Sequence, residues 1–312
     1  MIWANLLHLS YNMWCDWENP EKFSGYNNAR PVLRCDDAFW EELINACANA
    51  GMNMIVLDLG DGVRYESRPE IAVEGAWSTD RLTKEIARCK SLGLELIPKL
   101  NFATTHDQWL GEYARMVSTP KYYEVCHNLI AEVSALFDKP RFFHIGMDEE
   151  NAGLQRRFEY AVMRQHGLWW RDLNFYVEQV ESHGSRAWVW SDYIWEHHDE
   201  YLAKMPKRVL QSNWHYRMDL TPDAPRVKDY IALDKAGFDQ VPTVSNWYDP
   251  QNIPKGVEFC IEHLSKERLK GFLLAPWRPT LAETRERHMD AIKHFGDVIA
   301  AYTNPGEKNV GV

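Results

Sequence analysis

The run from Arg141 to Glu150 reads RFFHIGMDEE, and its reading decides how the rest of the chain is divided. Phe142, Phe143, His144 and Ile145 suit a buried strand, Gly146 breaks it, and three carboxylates follow at Asp148, Glu149 and Glu150. Carboxylates placed where a strand meets its loop can converge on a cleft. Crowding there drives their pKa values apart, one group held protonated and another ionised, which is the requirement for paired acid and base work. The alternative is a solvated acidic turn ahead of a helix, where Asp and Glu favour the first-turn dipole.

Outward from this stretch the chain alternates short apolar runs with longer amphipathic ones, a βαβα rhythm. Before it lie strands expected at Ile2 to Leu9, Met54 to Leu59 and Leu94 to Leu100, with helices at Asp37 to Ala50, Thr79 to Leu92 and Pro120 to Phe137. Asp36 or Asp37 is expected to cap the first helix, and Gly51 and Gly93 to end the first two. An aromatic loop, Met13-Trp14-Cys15-Asp16-Trp17, follows the first strand. A long loop from Gly60 to Ser78 follows the second, a length usual for functional segments.

After it the unit repeats. A long helix ends near His183-Gly184, and strands are expected at Ala187 to Trp190, Val209 to Trp214, Thr243 to Trp247 and Phe272 to Trp277. Helical segments are expected at Glu196 to Lys204, Val227 to Ala236, Val257 to Leu269 and Thr284 to Tyr302. Eight βα units define an α/β fold, a single (β/α)8 TIM barrel spanning residues 1–312, with its active site at the C-terminal ends of the strands. A chain of 312 residues is long enough for one such barrel.

The chemically interesting residues fall at those ends. His106 lies beyond the third strand, Asp148 and Glu149 beyond the fourth, and Asp192 beyond the fifth, while Trp190, Trp214, Trp247 and Trp277 close the last four. An aromatic wall around paired carboxylates suits a sugar pocket: plates for the ring faces, charge for an oxocarbenium-like transition state. Arg64 or Arg68 in the long loop could clamp sugar hydroxyls, against the plain alternative of a solvated loop arginine.

Composition narrows the partners. The net charge is -10, from 45 acids and 35 bases with no basic run, which argues against nucleic acid or an anionic membrane and favours a neutral or cationic small molecule. No apolar run approaches the roughly 20 residues that span a bilayer, and the first residues lack a basic signal-peptide region. The expectation is a cytoplasmic protein as it stands, or an extracytoplasmic one if a leader has been trimmed. The six cysteines show no C-x-x-C pair and are expected to be reduced, buried thiols. No cofactor is implied, and oligomeric state is not encoded in any feature of the sequence.

His144-Ile145-Gly146-Met147-Asp148-Glu149 resembles the H-x-G-G-D-E motif of glycoside hydrolase family 20, the β-N-acetylhexosaminidases. Ile97-Pro98-Lys99-Leu100-Asn101 with His106 is similar to that family's third-strand motif. Trp190-Ser191-Asp192, Met205-Pro206 and Gln211-Ser212-Asn213-Trp214 are similar to its fifth and sixth strand region. The resemblance runs from about Met52 to Trp277. It implies a retaining, exo-acting, substrate-assisted glycosidase: Glu149 as general acid and then base, Asp148 orienting the 2-acetamido group whose oxygen attacks the anomeric carbon, and no protein nucleophile. It also implies that His144 supports the carboxylates, against its alternative as a core residue, and that Asn101, His106, Asp192 and the four tryptophans serve a carbohydrate substrate.

This sequence departs from the family pattern at Met147, where the second glycine is replaced, and at Lys99 and Asn101, which stand where the family has acids. Two other readings stay open. One is a carbohydrate-binding barrel without catalysis. The other is a metal-dependent barrel sugar enzyme, although the sequence has no H-x-H or H-E-x-x-H, and the adjacent His197 and His198 point apart.

Overall fold

The computed structural model describes residues 1–16 and 26–303; Trp17 of the aromatic loop lies outside them. Eight parallel strands form the central sheet: β1 (Ile2–His8), β2 (Met54–Asp58), β3 (Glu95–Lys99), β4 (Phe142–His144), β5 (Arg186–Trp190), β6 (Leu210–Ser212), β7 (Thr243–Val244) and β8 (Gly271–Leu274). The ladder runs in chain order from β1 to β6, and β1 pairs on its other side with β8, which pairs with β7. Single bridges from Gln211 to Gln240 and from Trp214 to Thr243 join β6 to the β7 segment, so the sheet curls into a nearly closed (β/α)8 barrel.

Among the described residues eight longer helices alternate with the strands, beside one short turn of helix at Ala152–Gln155: α1 (Asp37–Asn49), α2 (Thr79–Ser91), α3 (Pro120–Leu136), α4 (His166–Ser182), α5 (His198–Lys204), α6 (Lys228–Lys235), α7 (Asn252–His263) and α8 (Arg285–Thr303). Local chemistry fixes several of their starts. Ser78 accepts a hydrogen bond from the Arg81 N–H and Thr119 one from the Tyr122 N–H, with Pro120 set in the first turn of α3. Asp36 occupies the N-cap of α1 but makes no cap bond. Its carboxylate instead accepts from the Ala282 N–H, tying the start of α1 to the loop before α8.

The expected elements are all present, with two systematic differences in extent. α7 begins at Asn252 rather than Val257, because Pro254 falls in the first turn, where a missing N–H costs nothing. The strands end earlier than expected: β6 stops at Ser212 and β7 at Val244, and the aromatic residues after them belong to loops. The long loop after β2 contains a two-residue parallel pairing of Val63–Arg64 with Trp77–Ser78.

Alternation along the strands sorts the core into two compartments. One cluster fills the shell between strands and helices. The other lies inside the barrel and includes Ala4, Leu6, Val56, Ile97, Phe142, Trp188, Trp190, Leu210 and Leu273. The same alternation turns His8, Asp58, Lys99, His144 and Ser212 inward at the C-terminal end, so the uppermost layer of the interior is polar and fully packed. Lys99 Nζ and the Asp58 carboxylate form an ion pair there, at 0% and 2% exposure. All six cysteines lie buried among the described residues and no disulfide joins them. Among the described residues no helix is long and apolar enough to cross a membrane.

Candidate active site

Above that polar layer the loops leaving the strands enclose a cavity of about 300 Å3, at the lower end of the usual range for small-molecule sites. His106, Asp148, Glu149, Trp214, Trp247 and Trp277 all line it, joined by Trp14, Tyr216 and, at its mouth, Arg157, Arg217, Arg226 and Tyr248. The residues that reach it stand at least two positions beyond their strand ends.

The carboxylate floor begins with Gly146, at φ 73°, where the chain passes Asn101 so closely that a Cβ would lie 1.9 Å from the amide oxygen. This approach aligns Asn101. Its amide oxygen accepts from the Ala103 and Met147 N–H groups, and its Nδ2 donates to Asp148 Oδ1 at 2.8 Å. Met147 and Glu149 also have positive φ, 77° and 56°, a left-handed conformation that is costly for residues with side chains. The alternation of conformations sends successive side chains to different places. Met147 turns into the core, 1% exposed, with its sulfur 3.8 Å from the Arg164 guanidinium, so the bulk that replaces the expected glycine lies away from the cavity.

His106 sits between the two acids. Its Nδ1 is 3.7 Å from Asp148 Oδ1 and its Nε2 3.4 Å from Glu149 Oε2. Burial lowers the His106 pKa, but the charges of Asp148 and Glu149 and the hydrogen bond to Glu149 outweigh it, so the imidazole is held above its ordinary value. Burial likewise raises Glu149, and the hydrogen bond and charge of His106, aided by Arg157 and Arg226, more than offset it, so that its pKa is lowered. The group held protonated is Asp192, pushed up to about 8 by burial and then by the charges of Asp148 and Glu149. Its Oδ2 accepts from the Glu149 backbone N–H at 2.8 Å and its Oδ1 from Trp214 Nε1 at 3.3 Å, which places it behind the cavity wall as a brace for both. The expected split between a protonated and an ionised carboxyl thus falls between Asp192 and Glu149.

The aromatic wall is held by its own contacts. Trp214 stacks on Tyr216 with centroids 5.2 Å apart, and the Tyr216 hydroxyl accepts from Trp277 Nε1 at 3.0 Å. Trp277, at φ 52°, is fixed from below by Tyr11, whose hydroxyl donates to its carbonyl at 2.8 Å. Trp14 meets His106 and Trp277 edge-on.

Five expected site residues are corrected: Asn101 and Asp192, expected to serve the substrate, instead bond Asp148 and the Glu149 backbone from outside the cavity lining, and His144, Trp190 and Arg64 also lie off it. Glu150 does not join the acidic pair: its carboxylate is wholly buried against Arg164, which also binds Asp172 at 3.1 Å. His144 touches neither catalytic candidate. It lies in the barrel interior between the rings of Trp188 and Trp190, with Nδ1 accepting from the Gly146 N–H at 3.1 Å. Trp190 is 1% exposed in the same layer, beneath the cavity rather than on its wall. Both sit at strand ends, where the side chain still points into a filled barrel. Arg64 is exposed on the two-residue pairing and does not line the cavity, while the neighbouring Arg68 pairs with Glu124 at 2.5 Å. Trp14, Tyr216 and the arginines of the mouth escaped the sequence reading. Trp14 carried the signal already used for other strands, an aromatic residue in a loop leaving a strand end; Arg157, Arg217 and Arg226 carried none.

One nitrogen of His106 and one oxygen each of Asp148 and Glu149 lie within 4.8 Å of one another, a possible three-ligand set for a divalent cation.

No family model matches the sequence, and no curated protein matches it. Solved structures do. A chitobiase of Flavobacterium johnsoniae superposes with a TM-score of 0.61 at 17% identity, over 84% of this chain and 46% of that one. An exo-β-N-acetylglucosaminidase of family 20 from Vibrio harveyi, solved with N-acetylglucosamine, gives 0.62 at 15% identity over 96% and 56%. Dispersin B gives 0.57 at 14% identity over 84% and 95%. The chain thus spans about half the length of the first two. In fold, therefore, this chain is a divergent (β/α)8 barrel of the kind found in glycoside hydrolase family 20 β-N-acetylhexosaminidases.

Proposed function

We propose that the protein is a retaining, exo-acting glycosidase that cleaves a β-linked N-acetylhexosamine-type sugar with assistance from the substrate's own acetamido group. The observation that carries this reading is the pair Asp148 and Glu149, adjacent in sequence, both open to an aromatic-walled cavity, with carboxyl oxygens within 4.8 Å of each other. Inverting glycosidases need about 6.5–9.5 Å between carboxyl groups to admit a water, a separation this pair does not offer. Asp192 is unsuited to act as a protein nucleophile, being held neutral and turned toward the Glu149 backbone and the Trp214 indole.

In this mechanism Trp214, Trp247 and Trp277 sandwich the terminal sugar. Asp148, fixed by Asn101, receives the acetamido N–H and stabilises the positive charge that develops as the carbonyl oxygen attacks the anomeric carbon. Glu149 donates its proton to the glycosidic oxygen and later takes one from water. Glu149 is ionised in the free protein at neutral pH, so the productive complex needs its proton restored. A sugar packed over Glu149 removes its remaining 31% exposure, and this loss of water raises a carboxyl pKa.

The test is hydrolysis of aryl N-acetylglucosaminides, N-acetylgalactosaminides, glucosides and galactosides by the wild type and by Glu149→Gln. Turnover restricted to the 2-acetamido sugars, with a loss on the order of 10² to 10⁴-fold on poor leaving groups in the variant, is the expected result. Wild-type rates in Glu149→Gln would refute the assignment. Binding of these sugars without turnover in either protein would identify a carbohydrate-binding barrel instead.

The three-ligand set of His106, Asp148 and Glu149 supports a second reading, a metal-dependent sugar enzyme. The positive charges of Arg157 and Arg226 near Glu149 oppose a dication there. Stoichiometric divalent metal in the purified protein, with activity lost on chelation, would decide for it.

A further inference from the structure

The mouth of the cavity carries a charge opposite to that of the protein as a whole. On a chain of net charge -10, the cavity lining holds three arginines, Arg157, Arg217 and Arg226, against two carboxylates, Asp148 and Glu149. Among the described residues no salt bridge joins Arg217 or Arg226 to a carboxylate, although most other arginines of the surface are so paired. The Arg217 charge acts on Asp219, two residues on, and both guanidiniums lie beside aromatic rings. The Arg217 guanidinium lies 5.5 Å from the centroid of Tyr248, itself 60% exposed, and that of Arg226 lies 4.1 Å from Trp195 and 5.9 Å from Trp214. A guanidinium stacked on a ring keeps its N–H donors in its own plane and directed past the ring edge, where they can grip a carboxylate or sulfate in two-point fashion. Arg226 is further held at φ 70°, a conformation that persists only where the surroundings enforce it.

The position of these groups relative to Glu149 sets which part of a ligand they would meet. Arg157 and Arg226 both act on the charge of Glu149, the residue that must face the leaving-group oxygen. The aromatic wall adjoins this mouth through Trp214, whose ring centroid lies 5.9 Å from the Arg226 guanidinium. We propose that the mouth formed by Arg217, Arg226 and Tyr248 is a leaving-group subsite for an acidic sugar, so that the preferred substrate carries a carboxylate or sulfate on the residue next to the one released. This rests on the glycosidase reading for its orientation, and it revises the expectation of a neutral or cationic ligand drawn from net charge. The overall charge governs the far field, whereas stacked guanidiniums within contact distance govern the site.

The experiment compares three disaccharides with a terminal β-linked N-acetylglucosamine and the same linkage: one with a neutral reducing-end sugar, one with a carboxylate on that sugar and one with a sulfate. kcat/KM is measured for the wild type and for Arg217→Gln/Arg226→Gln, and dissociation constants are measured calorimetrically on Glu149→Gln. Charge-assisted hydrogen bonds at a partly open site lead us to expect an acidic-over-neutral ratio on the order of tenfold for at least one of the acidic sugars. The ratio should collapse toward one in the double variant. In the unmodified protein it should also shrink between 50 mM and 1 M salt, a reading that does not depend on the variant folding.

Equal rates on all three sugars, or a preference that survives the double variant and high salt, would overturn the subsite while leaving the glycosidase standing. Tighter binding of an acidic sugar without hydrolysis of any would support an acidic-sugar site at this mouth and overturn both its leaving-group role and the glycosidase. Failure to bind or cleave any of the three would overturn both.

Discussion

Substituting Lys99 by Met leaves Asp58 without its counter-ion in the top layer of the barrel. Both side chains are buried, at 0% and 2% exposure, and the next basic group, His8 Nδ1, stands 3.5 Å from the carboxylate with its own pKa lowered by burial. In the native protein burial raises Asp58, and Lys99 and His8 together outweigh it, so its pKa lies below the ordinary value. In Lys99→Met burial prevails and Asp58 folds as the neutral acid. Holding a carboxyl of ordinary pKa about 3.9 neutral at pH 7 costs about 3.1 pH units at 1.36 kcal/mol each, or about 4 kcal/mol. That agrees with the 3–5 kcal/mol usual for breaking a buried pair.

The sign follows from linkage. The stabilisation that Asp58 gains from its depressed pKa is present above about pH 3.9 and lost as pH falls through its folded value. In Lys99→Met the cost of the neutral acid adds to this, and that part of the deficit should shrink by about 1.4 kcal/mol per pH unit from pH 7 toward pH 4, leaving there the part that the native ion pair supplies. With an unfolding entropy of about 2.1 cal/mol/K per residue, 312 residues give roughly 0.65 kcal/mol/K. On that part alone the melting temperature should fall by about 6 °C at pH 7, about 4 °C at pH 6 and about 2 °C at pH 5. Calorimetry of the two proteins across this range is the assay, with Lys99→Met/Asp58→Leu as the control that removes both charges and should recover most of the loss. A deficit independent of pH, or a double variant no more stable than the single one, would refute the account of the pair.

Two further outcomes follow from the site. Gly146→Ala would place a methyl group 2.8 Å from the Asn101 Cα and 1.9 Å from its amide oxygen at φ 73°. The left-handed backbone and the overpacking together should cost about 2–5 kcal/mol, and any folded protein should lose activity as Asn101 is pushed off Asp148, as denaturation and aryl-glycoside assays would show. For pH dependence, a general acid works only while protonated, so kcat/KM should fall as pH rises through the lowered pKa of Glu149. His106→Gln removes the hydrogen bond and charge that hold this pKa down, and the alkaline limb should move to higher pH. A limb at the same pH in both proteins would show that another group titrates.

The sequence alone determined the barrel, because eight alternations of apolar and amphipathic runs are a local property that admits few topologies. It also placed Asp148, Glu149, His106, Trp214, Trp247 and Trp277 at strand ends, the end where loops from all eight strands converge. Distance along the chain past a strand end then decided more than residue type, and only the closed sheet could fix it. His144 and Trp190 end their strands and so fill the interior. Trp214 and Trp277, two or three residues further on, clear the rim and face the cavity. Glu150 looked equivalent to its neighbours until the backbone conformations at Met147 and Glu149 turned it toward Arg164, which also binds Asp172 and the Phe102 carbonyl. The pairing of Lys99 with Asp58, the neutral state of Asp192 and the gathering of Arg217 and Arg226 at an acidic protein's cavity were likewise decided by tertiary structure. Each depends on burial and on charges brought close by folding, which no local pattern records.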